Sequence, residues 1–217
     1  MENIKKGRLR LYLVRHGETE ENARMTYLGI RDEPLNETGM WQAHRVAEVL
    51  SQFPLRLIVS SPLRRAADTA VRIQEASGVE LWKDVRLAEG SFGRWEGLTR
   101  DEVLKLGAKD AEMLARWESD PSYPPPAGES MESLQKRAVQ LMNELYREYA
   151  DSSIVLVSHV GPIKAILAAV LGIPLQASRW MFLDPGTISV VEWGAHPLLR
   201  LFNSHAHLGW SSARWMR

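Results

Sequence analysis

The chain has 217 residues, of which 45% are hydrophobic and 25% charged, enough to bury the core of one sizeable α/β domain or two small ones. Lys plus Arg number 27, as do Asp plus Glu, so no global basic field would recruit nucleic acid or an anionic membrane. The absence of cysteine excludes disulfides, thiolate metal sites and a cysteine nucleophile.

Short apolar runs alternate with longer amphipathic runs along most of the chain. The run 153–159 is too apolar to have a solvated face, which is typical of central parallel strands. In 38–52 apolar residues recur at i, i+3, i+4 and i+7, which predicts an amphipathic helix. The same reasoning predicts strands over 9–15, 55–60, 81–87 and 153–159, and helices over 38–52, 62–77, 99–118, 130–149 and 161–171.

Turn-forming residues mark the boundaries of these elements. Ser61 and Pro62 predict the start of a helix, with Ser61 as its N-cap and Pro62 in the first helical position. Residues 16–37 are predicted to be mostly irregular, because they contain several helix breakers. Four prolines between 120 and 128 predict a stiff segment. We interpret it as part of an insertion at about 91–128, because the sheet pattern resumes after it.

The alternation of strands and helices predicts a doubly wound, mostly parallel sheet with helices on both faces. Three β-like runs in the tail, 180–183, 187–193 and 198–202, are expected to add antiparallel strands to this sheet. The prediction is therefore one α/β domain over residues 1–217, with an antiparallel C-terminal extension.

Polar residues follow the predicted strands at the points where the strands end. Arg15 and His16 come at the end of the first strand, and His159 follows the later central strand. Arg65 lies in the first turn after the second strand, and Glu89 lies in a glycine-rich loop after the next one. Because ligands bind outside the carboxyl ends of parallel strands, we expect these side chains to gather at one sheet edge.

Two imidazoles, two guanidiniums and one carboxylate suit phosphoryl transfer, in which catalysis is mostly positioning and electrostatic stabilisation. Arg15 and Arg65 can each hold two phosphate oxygens in a planar fork. Their charges also favour the neutral, nucleophilic form of His16. His159 can donate to a phosphoryl oxygen, and a protonated Glu89 can protonate the leaving alkoxide.

Four short motifs, in order along the chain, resemble the signature of the histidine phosphatase superfamily. That superfamily includes the cofactor-dependent phosphoglycerate mutases and many small phosphatases. The motifs are Arg15–Thr19 with Asn22, Ser61–Ala66, Leu87–Glu89 followed by Gly93–Leu98, and Val157–His159. The resemblance implies a phosphoglycerate mutase-like fold and an enzyme of the small phosphatase branch.

The resemblance also implies a role for each matching residue. His16 becomes a phosphohistidine that water later hydrolyses, without a metal or a cofactor. Arg65, which directly precedes alanine in its motif, binds phosphate, and Arg64 does not. Glu89 is the proton donor, and His159 is the second histidine of the site.

The resemblance further implies that Asn22 and the backbone around Gly29 help to hold the phosphate. Two positions depart from the common family pattern. Leu28 stands where a polar residue often precedes the glycine, and Val160 stands where a glycine commonly follows the second histidine. We therefore expect Leu28 and Val160 to alter the details of phosphate and substrate contact.

The sequence leaves alternatives open. Glu96 is a rival for the role of proton donor. A phosphoglycerate mutase is the second interpretation, although the segment after His159 differs from the mutase pattern and the chain is short for that branch. A non-catalytic module that binds a phosphorylated ligand is the third, although no catalytic residue is lost. His205 and His207 alternate as on a strand and could bind a metal, but no third ligand stands at a recognisable spacing.

The physiological substrate is left open among the broad-specificity, α-ribazole, phosphoserine and sugar-phosphate phosphatases. The expected partner is a small phosphorylated metabolite, with neither nucleic acid nor membrane. The N-terminus lacks the apolar core of a signal peptide, and no apolar run approaches the ~20 residues of a membrane span, so we expect a cytoplasmic location. The apolar, Trp-containing tail leaves a homodimer open.

Overall fold

The structure, a computed structural model, describes residues 7–213. Its strands are β1 (Leu9–Arg15), β2 (Leu57–Ser60), β3 (Leu81–Lys83), β4 (Ser153–Ser158), β5 (Ile188–Trp193) and β6 (Leu198–Ser204). Its helices are α1 (Glu20–Ala23), α2 (Glu37–Leu50), α3 (Arg64–Ser77), α4 (Arg100–Lys105), α5 (Ala108–Ser119), α6 (Met131–Tyr149) and α7 (Val160–Leu171). Short 3-10 helices cover Val85–Leu87, Gly93–Trp95, Leu175–Trp180 and Trp210–Ser212.

The six strands form one sheet in the order β3-β2-β4-β1-β5-β6. Strand β4 pairs in parallel with β1 and β2, and β2 pairs in parallel with β3. Strands β5 and β6 extend the sheet in antiparallel fashion beside β1. The predicted fold class, a mostly parallel doubly wound sheet with an antiparallel C-terminal extension, is confirmed. Within residues 7–213, none of the helices combines the length and apolar character that crossing a membrane requires.

Two apolar cores lie on opposite faces of the sheet. Alternate residues of β1 supply both cores: Leu11 and Leu13 pack into one, and Tyr12 and Val14 into the other. The first core also takes buried residues of α6 and α7, and the second takes those of α2 and α3. Burial on both faces therefore fixes the register of the central strands. The register in turn fixes where the polar residues that follow these strands meet.

Helix α3 begins later than the sequence predicts. Its N-cap is Leu63, which makes no side-chain capping bond, so the predicted N-cap role of Ser61 is wrong. The hydroxyl of Ser61 instead accepts a hydrogen bond from the Leu63 N–H and lies 2.8 Å from Nε2 of His159. The turn after β2 thus places Ser61 among the polar groups at the sheet edge.

Two other predicted elements are shorter than expected. The strand predicted over 81–87 ends at Lys83, because the carboxylate of Asp84 caps the 3-10 helix that follows. The helix predicted over 99–118 is divided into α4 and α5 at Gly107, whose φ of 131° favours glycine.

Two irregular segments also differ from the prediction. Residues 180–183, predicted as a strand, are not part of the sheet, and the carbonyl of Leu183 accepts a hydrogen bond from Arg15. Residues 16–37, predicted as mostly irregular, contain the short helix α1, which begins with a capping box.

Candidate active site

The parallel pairing of β1 with β4 brings two histidines together. Arg15 and Ser158 are register partners, so the residues that follow them leave the sheet side by side. These residues are His16 and His159, whose ring centroids are 4.9 Å apart and which are 3% and 0% exposed. The structure thus joins the two imidazoles at the edge where the sequence predicts them.

Arg65 lies fully buried beside both rings, in the first turn of α3. Its guanidinium donates from Nη1 to the carbonyl of Arg31 and from Nη2 to that of Gly29, both at 2.7 Å. Its Nε lies 3.3 Å from Nε2 of His16 and 3.2 Å from Nδ1 of His159. The backbone of the 29–31 turn therefore fixes this cation against the two imidazoles.

The hydrogen bonds of His16 define its tautomer. Its Nδ1 lies 2.7 Å from the carbonyl oxygen of Gly17, and because a carbonyl only accepts, Nδ1 carries the proton. The lone pair is therefore on Nε2, which faces Arg65. Burial, and then the charges of Arg65 and Arg15, hold the pKa of His16 well below its usual 6.5. At neutral pH the ring is a neutral nucleophile.

His159 is held by the turn after β2 and by α3. Its Nδ1 accepts the N–H of Arg65 Nε, and its Nε2 lies 2.8 Å from the hydroxyl of Ser61, so Nε2 carries the proton. Burial lowers the pKa of His159 well below 6.5, and the charge of Arg65 lowers it further. His159 is also neutral at pH 7 in this arrangement.

Arg15, the last residue of β1, is 7% exposed and donates from Nη1 to the carbonyl of Leu183 at 2.5 Å. The segment 181–183, which follows the 3-10 helix Leu175–Trp180, therefore anchors the second guanidinium of the site. Two buried cations next to two neutral imidazoles make this sheet edge strongly attractive to a phosphate dianion.

Glu89 lies half-buried across from these groups. Its carboxylate accepts hydrogen bonds from the backbone N–H of Gly90 at 2.9 Å and of Gly161 at 3.2 Å. A Cβ built on Gly161 would lie 2.3 Å from the Glu89 Oε1, so only glycine allows this approach. Burial lowers the pKa of Arg65, and the charge of Glu89 is the largest effect that opposes this shift.

The four predicted substrate-binding residues lie in different settings. Gly29, at a φ of 56°, offers its carbonyl to Arg65. Asn22 pairs with Thr19 in the capping box of α1, and Leu28 is 6% exposed. Val160 lines a pocket beside Glu89. A direct substrate contact for any of them stays a prediction.

Other candidates from the sequence take structural positions. Glu96 Oε1 accepts the N–H groups of Ile30 and Phe92, so this carboxylate joins two loops. Arg64 is exposed and lies 3.6 Å from Asp68 across one turn of α3.

The two histidines of the tail lie in the turn after β6 and not on a strand. Nε2 of His205 is 2.9 Å from the buried carboxylate of Asp184, and Nε2 of His207 is 2.7 Å from the carbonyl of Gly186. Over residues 7–213, no three His, Asp or Glu side chains are grouped so that they could hold a metal ion.

A pocket of about 130 Å³ opens beside Glu89. Its walls come from the predicted insertion, from α6 and α7, and from the 3-10 helix Leu175–Trp180. Residues that line it include Glu89, Phe92, Trp117, Lys164, Ser178 and Arg179. Burial, and then the charge of Arg15, lower the pKa of Lys164 to about 8.

Three residues of this pocket were not predicted from the sequence: Lys164, Ser178 and Arg179. For Lys164 a signal was present, because it is the one charged residue among the apolar and small residues of α7. A cation in such a helix, five residues after His159, points to a site. Nothing in the sequence around Ser178 and Arg179 predicts that the chain returns to this pocket.

This edge of the parallel sheet carries two neutral imidazoles and two buried guanidiniums, which are the groups needed for phosphoryl transfer. The family model of the histidine phosphatase superfamily (branch 1) matches residues 11–203. The chain therefore belongs to the histidine phosphatase superfamily, and it is a hydrolase of the phosphatase type. The family and enzyme class that the four motifs predict are confirmed.

Several known proteins are similar over most of their length. A glucosyl-3-phosphoglycerate phosphatase of Mycolicibacterium vanbaalenii is 36% identical over 208 residues, which span 85% of this chain and 91% of that protein. Phosphoserine phosphatase 1 of Hydrogenobacter thermophilus is 36% identical over 205 residues, which span 93% of this chain and 95% of that protein. The solved structure of a mycobacterial glucosyl-3-phosphoglycerate phosphatase with VO3 is 33% identical with a TM-score of 0.81, over 90% of this chain and 99% of that one.

Proposed function

We propose that the protein hydrolyses a small phosphomonoester through a phosphohistidine on Nε2 of His16, without a metal ion. The observation that carries this proposal is the orientation of that ring, whose proton is tied to the Gly17 carbonyl while its lone pair faces Arg65. The guanidiniums of Arg15 and Arg65 supply the positive charge that a metal supplies in other phosphatases.

The first step forms the bond between Nε2 of His16 and phosphorus while the bond to the leaving oxygen breaks. Glu89 gives its proton to that oxygen, which leaves as an alcohol. The positive charge that develops on the ring is stabilised by the Gly17 carbonyl, 2.7 Å from Nδ1. Arg15 and Arg65 stabilise the charge on the equatorial oxygens. A phosphate dianion favours uptake of a solvent proton on Nδ1 of His159, which then gives up its bond from Arg65 Nε and donates to a phosphoryl oxygen.

The second step returns the enzyme to its starting state. Water attacks phosphorus, and the Glu89 carboxylate takes a proton from it. The bond between phosphorus and Nε2 of His16 breaks, its electron pair returns to the ring, and inorganic phosphate leaves. Relatives named as phosphatases favour this transfer to water over the return of the phosphoryl group to a second hydroxyl, as in a mutase.

We also propose that the chain is one histidine phosphatase domain, because the family match spans residues 11–203 and a single sheet joins both ends of that range. Relatives named for glucosyl-3-phosphoglycerate and for phosphoserine support a small phosphorylated metabolite as the substrate. A cytoplasmic location and a homodimer stay predictions.

The test is turnover of a generic aryl phosphate in excess chelator, with His16→Asn compared with the wild type. We expect activity that survives the chelator and falls by at least about 10⁴-fold in the variant, as for other removed nucleophiles. His44→Asn, a change at an exposed histidine of α2, serves as the matched control. Activity retained by His16→Asn, or lost with the chelator, would contradict the proposal.

A further inference from the structure

The pocket beside Glu89 contains a cation that the proposed chemistry does not use. Lys164 is half-buried on α7 and lines this pocket, five residues beyond His159. Among residues 7–213 it has no hydrogen bond and no ion pair within 4.0 Å, although the charge of Glu89 in the same pocket acts on it. Burial of an ammonium group without a partner is costly, as its pKa of about 8 reflects, so the site favours an incoming anion.

A second polar group in the same pocket also lacks a partner. Ser178 is 1% exposed, lines the pocket, and its Oγ has no hydrogen-bond partner in the part of the chain that the structure describes. Buried hydroxyls are almost always hydrogen-bonded, so an isolated one at a pocket wall indicates a place for a ligand atom. A serine hydroxyl can donate to an anionic oxygen beside a lysine.

Arg179 adds a fixed positive charge to this wall. It donates to the carbonyl of Trp117, and its guanidinium lies 4.2 Å from the centre of the Trp117 ring. Stacking on the indole and the bond to the backbone hold the cation at the pocket wall, where the charge of Glu118 also acts on it. The charge of Arg179 is one of the effects that lower the pKa of Lys164.

The acidic residues of the pocket do not cancel these cations. Glu129 is already paired with Arg137, whose Nη2 lies 2.8 Å from its carboxylate. Glu89 is the proton donor of the proposed first step, a role that requires its protonated, uncharged form. The remaining charge beside the leaving group is therefore positive.

The size and the apolar walls of the pocket define what the anion is attached to. Phe92, Trp117 and Leu134 line it beside the polar groups, and its volume of about 130 Å³ allows only a small group. A short carbon skeleton would pack on these rings and end in an anion that faces Lys164. A carboxylate fits this role, because its two oxygens can accept from Lys164 and Ser178 together.

We propose that Lys164, Ser178 and Arg179 form a carboxylate subsite, which selects phosphomonoesters whose leaving group carries a carboxylate. This inference rests on the proposed function, because it assigns the pocket to the leaving group of the proposed reaction. The residues act in substrate selection, so their effect is expected mainly in KM.

The test compares phosphoserine with phosphoethanolamine, which differ only in the carboxylate. We expect the wild type to prefer phosphoserine in kcat/KM by about 10- to 100-fold, the range for a hydrogen-bonded charged group. Lys164→Met should lower this ratio by about tenfold or more, mainly through KM, and Ser178→Ala by about threefold to tenfold. Lys136→Met, a change at an exposed lysine of α6 outside the pocket, should leave the ratio unchanged.

The two hypotheses fail in different ways. No turnover of any phosphomonoester by the wild type would contradict the proposed function. The subsite is then tested by equilibrium binding of the same two compounds to His16→Ala, which needs no turnover. Equal turnover and equal binding of the two compounds, or a ratio unchanged in both Lys164→Met and Ser178→Ala, would overturn the subsite. If Lys164→Met does not fold, Ser178→Ala carries the test.

Discussion

The two ends of the candidate site are built in opposite ways. At the phosphate end, Arg15, His16, Arg65 and His159 are each at most 7% exposed, and each has a hydrogen-bond partner within the protein. At the leaving-group end, the polar wall around Lys164 contains groups without such partners among the described residues. In the proposed reaction, the first end is pre-organised for phosphate, whereas the polar groups of the second end gain partners only when a ligand binds.

This difference follows from where the residues come from. The phosphate end is formed by the carboxyl ends of paired strands, whose register the two cores fix on both faces of the sheet. The leaving-group end is assembled from loops, from helices α5, α6 and α7, and from a 3-10 helix at the periphery. In the proposed function, chemistry is therefore set by the sheet, and selectivity by segments that can vary without disturbing it.

Removal of the proton donor Glu89 should cause the largest loss of activity, and the loss should depend on the leaving group. Glu89→Gln cannot protonate a leaving oxygen, so we expect kcat for an alkyl phosphate to fall by about 10²–10⁴-fold. An aryl phosphate, whose phenolate leaves without help, should lose much less. Glu132→Gln, at an exposed position of α6, is the control, and steady-state kinetics on both esters is the measurement. An equal loss for both esters would contradict the assignment of Glu89.

Replacement of Arg65, the cation beside both histidines, should cause the second largest loss of activity. Arg65→Lys keeps a charge but cannot bond the carbonyls of Gly29 and Arg31 and also hold phosphate. We expect kcat/KM to fall by about 10²–10³-fold, the size found when one stabilising donor is removed. The exposed neighbour offers a matched control, since Arg64→Lys should change kcat/KM by less than about twofold. Equal losses of kcat/KM in Arg65→Lys and Arg64→Lys would contradict the assignment of the phosphate contact to Arg65.

The leaving-group end should lose its preference in alkali. Lys164 has a pKa of about 8, lowered by its burial and by Arg15 and Arg179 and raised by Glu89, so its charge is lost as pH rises through 8. The preference for phosphoserine over phosphoethanolamine in kcat/KM should then decline by up to about tenfold per pH unit. The ratio cancels the ionisation of the phosphate, which the two esters share. A ratio that stays constant between pH 7 and pH 9.5 in the wild type would exclude this role of Lys164.

The two buried histidines of the phosphate end should lower the free energy of unfolding as the pH falls. The pKa values of His16 and His159 are well below 6.5 in the folded protein, whereas both are about 6.5 in the unfolded chain. Below pH 6.5 the unfolded chain therefore binds protons that the folded protein does not, and the free energy of unfolding falls by about 1.4 kcal/mol per pH unit for each ring.

Urea unfolding between pH 7 and pH 5 measures this slope. His16→Gln should reduce the slope by the share of one ring, whereas His44→Gln, at an exposed position, should not alter it. A wild-type stability that is constant or rises as the pH falls from 6.5 to 5 would show that the rings are not held neutral by the fold.

The phosphate end could be predicted from the sequence because short-range patterns determine it. Apolar runs that end in His16 and His159 define buried strands, and adjacency of parallel strands follows from the alternation of elements. Arg65 and Glu89 come soon after their strands, so their approach to the same edge needs no knowledge of distant contacts. The role of Gly161, which makes room for Glu89, depends on a contact between distant segments and could not be predicted from the sequence.

The leaving-group end could not be predicted because it depends on long-range contacts. Ser178 and Arg179 reach the pocket through the Leu175–Trp180 helix, and Arg179 is held by the carbonyl of Trp117, 62 residues earlier in the chain. The prediction that residues 91–128 carry specificity accounts for Phe92 and Trp117 but not for the cations of the wall. The same lack of long-range information explains the false strand at 180–183, whose backbone anchors Arg15 and joins no sheet.

Direct detection of a phosphorylated His16 tests the central claim most closely. The wild type and His16→Asn are mixed with an aryl phosphate, quenched in alkali, in which phosphohistidine is stable, and analysed by peptide mass spectrometry. We expect one phosphoryl group on the peptide that contains His16, lost on acid treatment and absent from the variant. Turnover with phosphate on no histidine, or on His159 instead, would contradict the account.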